Sequence, residues 1–389
     1  MKVLFVADIY EKYGAFDSFI QMVYFLNREV GVSPVILTSK KKKVYNWALN
    51  NHFECVCVKY SPFVFETRFK EQSFLWYLKK LPKLCVYRLE LKLALKKCEK
   101  KIDFSSIEII HSNTNRIDIG ACLSQIYKIP HVWHIREFGS SIDYNTYSLK
   151  KNNIEFMNLN TNAFIFISNA VRRYWNENGI SNSNSYVLWN GIIDERHKRN
   201  IIFEHNNIKI VMSGFIRESK GQDQLLRAVC ILPEEIKKRI SIDFYGDIDK
   251  QYYFKLRTII RNGNIINQVK FKGFVDNVKE YYQNYDIGVT CSKSEGLGRT
   301  TIDYMSFGCL VIASDTGANA EIIIPEKNGF LYKYGDINDF KEKLLFAINN
   351  IDISKKTASY AYDFAYSKFN VFEYTKNIMY IYQSLKNRR

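Results

Sequence analysis

The chain has 389 residues, 47% of them apolar, and a net charge of +16. That length exceeds one hydrophobic core and predicts two domains of roughly 150–200 residues each. The apolar share excludes global disorder, and without a run of about 18 apolar residues no membrane-spanning helix is expected.

The opening "MKVLFVADIY" carries a short apolar run cut off by Asp8. It is too short for a secretion signal core and reads as a first buried strand. The eight cysteines form no CxxC pair. With no secretion signal, reduced core thiols in a cytoplasmic protein are expected, Cys55 and Cys57 lying on one face of a strand.

Further along, strand-like runs alternate with amphipathic stretches. "SPVILTS", "FECVCVKY", "IEIIHSN", "PHVWHIRE" and "NAFIFISN" follow in the first half; "IKIVMSG", "SIDFYGD", "VKFKGF", "DIGVTCS" and "CLVIASD" occupy the second. Segments 18–30, 117–128, 221–232 and 299–307 have helical spacing, and 78–101 is also assigned to helix from its good helix formers. Short apolar strands separated by helices predict βαβ units with parallel sheets. The pattern runs twice. Its break gives an N-terminal Rossmann-like domain at 1–188, a linker at 189–206 and a C-terminal Rossmann-like domain at 207–365. A last helix at 366–389 is expected to pack back towards the N-terminal domain.

Most of the charge lies in the first half, where residues 1–200 hold 29 basic and 18 acidic side chains. Segment 60–101 alone holds 11 basic and 4 acidic side chains, together with Phe63, Phe65, Phe69, Phe74, Trp76 and Tyr77. Such a stretch suits a solvated helix face, an anionic membrane surface or nucleic acid.

Open parallel sheets bind ligands beyond the carboxyl ends of their strands, so two such domains facing each other predict an interdomain cleft lined by βα loops. Four loops carry the candidate chemistry. In "SKSEGLGRTTIDYMSFGCLVIASDTGANAEII" (292–323), Glu295 precedes a Gly-Leu-Gly turn at a helix start, and Asp303 lies about one turn inside that helix. Backbone amides there suit an anion, while carboxylates accept hydrogen bonds from vicinal hydroxyls. Phosphate against amides and hydroxyls against acids together describe a nucleotide-sugar. The bland alternative is two first-turn acids that favour the helix start. In "IVMSGFIRESKGQDQLL" (210–226), Arg217 and Lys220 follow a strand where a diphosphate is neutralised. In "IPHVWHIREFG" (129–139) a strand delivers His134, Arg136 and Glu137 at its end. In "EKYGAFDSF" (11–19), Gly14 follows the first strand, where a phosphate can approach the backbone.

Jointly these pieces resemble the GT-B glycosyltransferases, specifically glycosyltransferase family 4 of the kind that builds bacterial surface polysaccharides. The likeness covers nearly the whole chain. Its strongest element is the acid-x7-acid signature "EGLGRTTID" with the following "GCLVIASDTGANAEII", supported by "SGFIRESKG", "LWNGIID", "HSNTN" and "HIREFG". The resemblance implies that Glu295 contacts the donor sugar's hydroxyls and Asp303 holds the ribose. It implies Lys220 on the diphosphate, with amides of Gly296, Leu297 and Gly298 on the sugar and phosphates. Gly14 would approach the diphosphate, and His134 the transferred sugar. It also implies retention of anomeric configuration, no bound metal and no cofactor beyond the nucleotide-sugar substrate. The acceptor would be a saccharide, often lipid-linked, with segment 60–101 docking on the inner face of the cell membrane.

Two departures stand out. The second acid is Asp303 rather than Glu, one methylene shorter. Phe215 occupies the place after "SG" where the family often has Arg, leaving Arg217 to supply the charge. Asp247-Ile-Asp249 resembles the metal-holding acid pair of the other large glycosyltransferase fold, but a three-residue pattern is weak evidence. A nucleic-acid-binding protein lacks any supporting motif here, and a nicotinamide enzyme lacks G-x-G-x-x-G after the first strand. A sugar-nucleotide epimerase or phosphorylase keeps the fold and changes the reaction.

Overall fold

In the computed structural model, residues 1–7, 13–67, 74–140, 145–150, 152–181, 183–197, 203 and 207–387 are described. The chain divides into two units, Met1–Ile192 with Val371–Arg389, and Ile193–Asn370.

The first unit begins β1 (Lys2–Val6), α1 (Tyr13–Val30), β2 (Ser33–Thr38), α2 (Lys43–Asn50), β3 (Glu54–Cys57) and β4 (Val64–Thr67). It continues α3 (Phe74–Lys101), β5 (Ile109–Ser112), α4 (Ile119–Tyr127), β6 (His131–Ile135) and β7 (Asn145–Ser148). Then come α5 (Asn153–Leu159), β8 (Ala163–Phe166), α6 (Asn169–Glu177) and β9 (Ser185–Val187). Among the described residues its main sheet has seven parallel strands in the order β3-β2-β1-β5-β6-β8-β9. β4 pairs antiparallel with β7 in a separate ribbon.

The pleat sends alternate side chains to opposite faces. Val3 and Phe5 therefore enter one core with Val23, Leu26 and Ile36. Leu4 and Val6 enter another with Val35, Leu37, Ile110 and Leu123. Both faces are covered, which is why these strands read as continuous apolar runs rather than alternating ones.

The second unit holds β10 (Ile208–Ser213), α7 (Gln222–Cys230), α8 (Glu234–Lys237), β11 (Ile240–Tyr245), α9 (Lys250–Asn262) and β12 (Val269–Gly273). It goes on with β13 (Ile287–Thr290), α10 (Arg299–Ser306), β14 (Leu310–Ser314), α11 (Asn319–Ile322) and β15 (Phe330–Tyr332). It ends with α12 (Ile337–Asn349) and α13 (Ile351–Lys368). Its six strands run parallel in the order β12-β11-β10-β13-β14-β15. Both sheets step outward from a first strand and then reverse to its other side, the doubly wound order that leaves a crevice at the reversal.

The last helix, α14 (Val371–Lys386), returns to the first unit. Val371, Tyr374, Thr375, Ile378, Ile381, Tyr382 and Leu385 form its buried face at three- and four-residue spacing. Ile378, Ile381 and Tyr382 pack into the core of Val3 and Phe5. Among the described residues no helix is long and apolar enough to cross a membrane, and all eight cysteines are free.

Candidate active site

In the second unit the reversal point lies between β10 and β13, and the loops after these two strands meet. After β10, the parallel bridge between Ile216 and Ile248 pins the chain. A turn of 3-10 helix (Glu218–Lys220) and Gly221 then lead into α7. Lys220 reaches across and pairs with Glu295 in the loop after β13. The Ser292 hydroxyl donates to the same carboxylate oxygen at 2.6 Å. A backbone bond from Lys293 N–H to the Ser219 carbonyl (3.1 Å) ties the two loops together. Burial opposes the charge on Glu295, but Lys220, then the Ser292 hydroxyl and Arg217, outweigh it and hold the carboxyl below its usual range. The side chains of Lys220 and Glu295 stay 29% and 19% exposed, so a ligand can reach the pair. The Arg217 guanidinium lies 5.5 Å from the centre of the Phe215 ring. The phenyl ring that stands where the family often has Arg thus supports the cation two positions on.

The loop after β14 braces this arrangement. Ala318 N–H donates to the Glu295 carbonyl at 2.9 Å. Gly317 sits beneath that backbone at φ +55, and a Cβ there would lie 2.3 Å from the Glu295 oxygen. Thr290, Thr301 and Asn319, all buried, close a ring of hydrogen bonds. Asn319 Nδ2 donates to Thr290 Oγ1 (3.3 Å), the two threonine hydroxyls are 3.1 Å apart, and Thr301 Oγ1 donates to Asn319 Oδ1 (2.8 Å). With Thr290 donating to Thr301, each of these groups has its partner. β13, α10 and α11 are thereby locked in register below the site.

Gly298 (φ +74) caps α10. Leu297 is buried and anchors the Gly296–Gly298 turn from below. Asp303 is half-buried on α10. It acts on two neighbours: it adds to the burial that raises the Tyr282 hydroxyl, and partly offsets the burial and Lys279 charge that lower His197. Asp249 is not one of a metal-holding pair. Its carboxylate accepts from Tyr252 N–H at 2.9 Å and caps α9. Among the described residues there is no cluster of three potential metal ligands.

In the first unit two expected positions are corrected. Gly14 is the second residue of α1 rather than part of the preceding loop, because helical geometry begins at Tyr13; residues 8–12 lie outside the described residues. His134 is not delivered on an open strand end. It lies inside β6 and is fully buried, its ring facing the ring of His111 from β5. Arg136, the next residue on the same face, is buried too. It donates to Asn113 Oδ1 (2.6 Å) and Asn190 Oδ1 (2.8 Å). Glu137 receives a bidentate fork from Arg116 at 2.9 and 3.1 Å. "HSNTN", "HIREFG" and "LWNGIID" are therefore one hydrogen-bonded cluster at the carboxyl ends of β5 and β6. Ser292, Asn319 and His111 escape the sequence reading: neutral polar residues and a histidine within an apolar run carry no local signal.

Residues 193–364 match the family described as glycosyl transferases, group 1. An uncharacterized glycosyltransferase of Methanocaldococcus jannaschii is 26% identical over 293 residues, 74% of this chain and 78% of that protein. The capsular polysaccharide biosynthesis glycosyltransferase CapH of Staphylococcus aureus is 27% identical over 41% of this chain and 44% of its own length. Among solved structures, Anabaena HepE in complex with UDP superposes with a TM-score of 0.78 at 19% identity, over 99% of this chain and 100% of that one. In complex with UDP-glucose the TM-score is 0.75. The doubled parallel sheets, and the acid and cation joined across the loops of the second, thus belong to a known family: this chain is a group 1 glycosyltransferase of GT-B fold.

Proposed function

We propose that the chain is a family 4 enzyme that transfers a sugar from a nucleotide-diphosphate donor to a saccharide acceptor, lipid-linked, in cell-surface polysaccharide assembly. The observation that carries this is the Lys220–Glu295 pair at the carboxyl ends of two neighbouring parallel strands. In the absence of donor each neutralises the other. A diphosphate takes Lys220, with Arg217 and the amides of Gly296, Leu297 and Gly298. Glu295 is then released to accept from sugar hydroxyls, while Asp303 takes the ribose, at longer reach than a glutamate. The UDP and UDP-glucose bound to the similarly folded HepE make a uridine nucleotide the first donor to test. Gly14 and His134 are proposed to contact the donor's diphosphate and sugar.

Glycosyl transfer passes through an oxocarbenium-like state as negative charge grows on the leaving diphosphate. Preorganised cations and amides aimed at that oxygen lower the barrier. Attack from the face the diphosphate leaves would retain anomeric configuration, with no metal required for charge neutralisation. The capsular role of CapH supports a polysaccharide acceptor.

The membrane half of the proposal rests on α3. Val86, Leu89 and Leu93 are 57%, 60% and 47% exposed, a stripe at three- and four-residue spacing. Exposed Arg88, Lys92, Lys96 and Lys97 share the helix. That composition suits the anionic inner face of the cell membrane; residues 68–73 of the segment lie outside the described residues.

Calorimetry against a panel of nucleotide-sugars tests the donor. One should bind, and binding should weaken in Lys220→Ala. No binder, or a binder indifferent to Lys220, refutes the assignment. Product formed without added acceptor would instead indicate an epimerase.

A further inference from the structure

We infer that Tyr382 on the C-terminal helix and His111 are positioning residues that fix His134 as a hydrogen-bond donor through Nε2, so that His134 binds an oxygen acceptor and does not serve as a base. Three contacts define a chain. Tyr382 Oη lies 2.6 Å from His111 Nδ1, and His111 Nε2 lies 3.2 Å from His134 Nδ1. Arg136 Nη2 lies 3.4 Å from that same His134 Nδ1.

A guanidinium has only donors. His134 Nδ1, facing Arg136, must therefore be the bare, accepting nitrogen. His111 Nε2 then carries the hydrogen that points at it, which leaves His111 Nδ1 bare and accepting from the Tyr382 hydroxyl. The opposite arrangement would aim the His134 Nδ1–H at a cation. Burial, together with Arg136 and the neighbouring imidazole, pushes both rings well below their usual protonation range. Each ring thus holds a single hydrogen, and the one on His134 sits on Nε2.

That Nε2 is fully buried and has no hydrogen-bond partner among the described residues. An unpaired buried donor costs about 1–3 kcal/mol, so the chain keeps it for a reason. It lies near the carboxyl end of β6, where open sheets receive ligands. An oxygen with a free lone pair satisfies it, and a saccharide hydroxyl provides one. Only this choice of ligand rests on the proposed glycosyl transfer; the proton arrangement does not.

The test is long-range nitrogen–proton NMR on full-length protein labelled at histidine nitrogens, with His134 and His111 assigned through His134→Gln and His111→Gln. We expect both rings to show protonated Nε2 and bare Nδ1. A bare Nε2 on His134 overturns the inference without any variant of Tyr382. Tyr382→Phe should let His111 populate its second tautomer and lower turnover roughly five- to tenfold, the scale of one neutral hydrogen bond, with the donor KM unchanged. Unchanged tautomers and turnover would remove Tyr382 from the chain. If no nucleotide-sugar binds yet Nε2 is protonated, the glycosyl-transfer proposal fails and this one stands.

Discussion

Lys220 and Glu295 form an ion pair between two loops that follow neighbouring parallel strands, although 75 residues separate them in sequence. Removing the cation leaves Glu295 with the Ser292 hydroxyl, so the loop keeps its shape. Lys220→Ala should therefore fold normally and lose at least about a hundredfold in turnover, from roughly 2–4 kcal/mol of lost transition-state stabilisation. Turnover with the identified donor, read beside a thermal melt, checks this. Near-normal turnover would remove Lys220 from the mechanism.

Gly317→Ala should act on the same carboxylate from below. The position needs φ +55 and its Cβ would press on the Glu295 carbonyl at 2.3 Å. Backbone, not a flexible side chain, must yield. We expect about 1–3 kcal/mol of destabilisation in urea unfolding, accompanied by weaker donor binding. A variant with native stability and affinity would show that the loop after β14 moves freely.

Stability should fall as pH drops from 6.5 towards 4. His131 is fully buried, with Ser112 Oγ 2.8 Å from Nε2 and the Asn160 carbonyl 3.0 Å from Nδ1. Burial lowers it from 6.5 to about 4, against the pull of the Asn160 carbonyl. The unfolded chain therefore takes a proton first on acidification, and folding loses free energy until the folded ring also titrates. His131 alone contributes about 3 kcal/mol across that window, and His111 and His134 add to it. Denaturant midpoints at pH 7 and pH 4.5 measure the slope. A flat profile would mean that these rings are not neutral in the folded state.

Leu89→Asp tests the membrane stripe. Leu89 is 60% exposed, so the substitution should change stability by less than about 0.5 kcal/mol. Co-sedimentation with vesicles containing anionic lipid should drop, while wild type should bind them better than neutral vesicles. Equal binding of both proteins would release α3 from this role.

Much of the fold is written in local pattern. Each of the eleven apolar runs becomes a strand because burial on both faces of a parallel sheet demands continuous Val, Ile, Leu and Phe. β9 and β15, three residues each, are too short to generate a pattern. β4 and β7 pair with each other across a long separation, which no local signal encodes. Within the site, Lys220 and Glu295 stand out because each follows a strand beside glycine. Their pairing is a tertiary fact. The Thr290–Thr301–Asn319 ring is equally non-local: three ordinary polar residues gain meaning only when β13, α10 and α11 converge. His134 misleads because Trp133, His134 and Ile135 end a strand in sequence, whereas the sheet and α14 close over that end in space.

The placement of α14 also has a consequence for biosynthesis. The first unit is interrupted after Ile192 and resumes at Val371, so its core stays open while the ribosome makes the intervening 178 residues of the second unit. Until Tyr374, Ile378 and Tyr382 emerge, Val3, Phe5 and Val23 lack their cover. The second unit, continuous in the chain, can mature first. The amino-terminal half must wait as a partly exposed intermediate, the species on which chaperone capture or premature truncation would fall hardest.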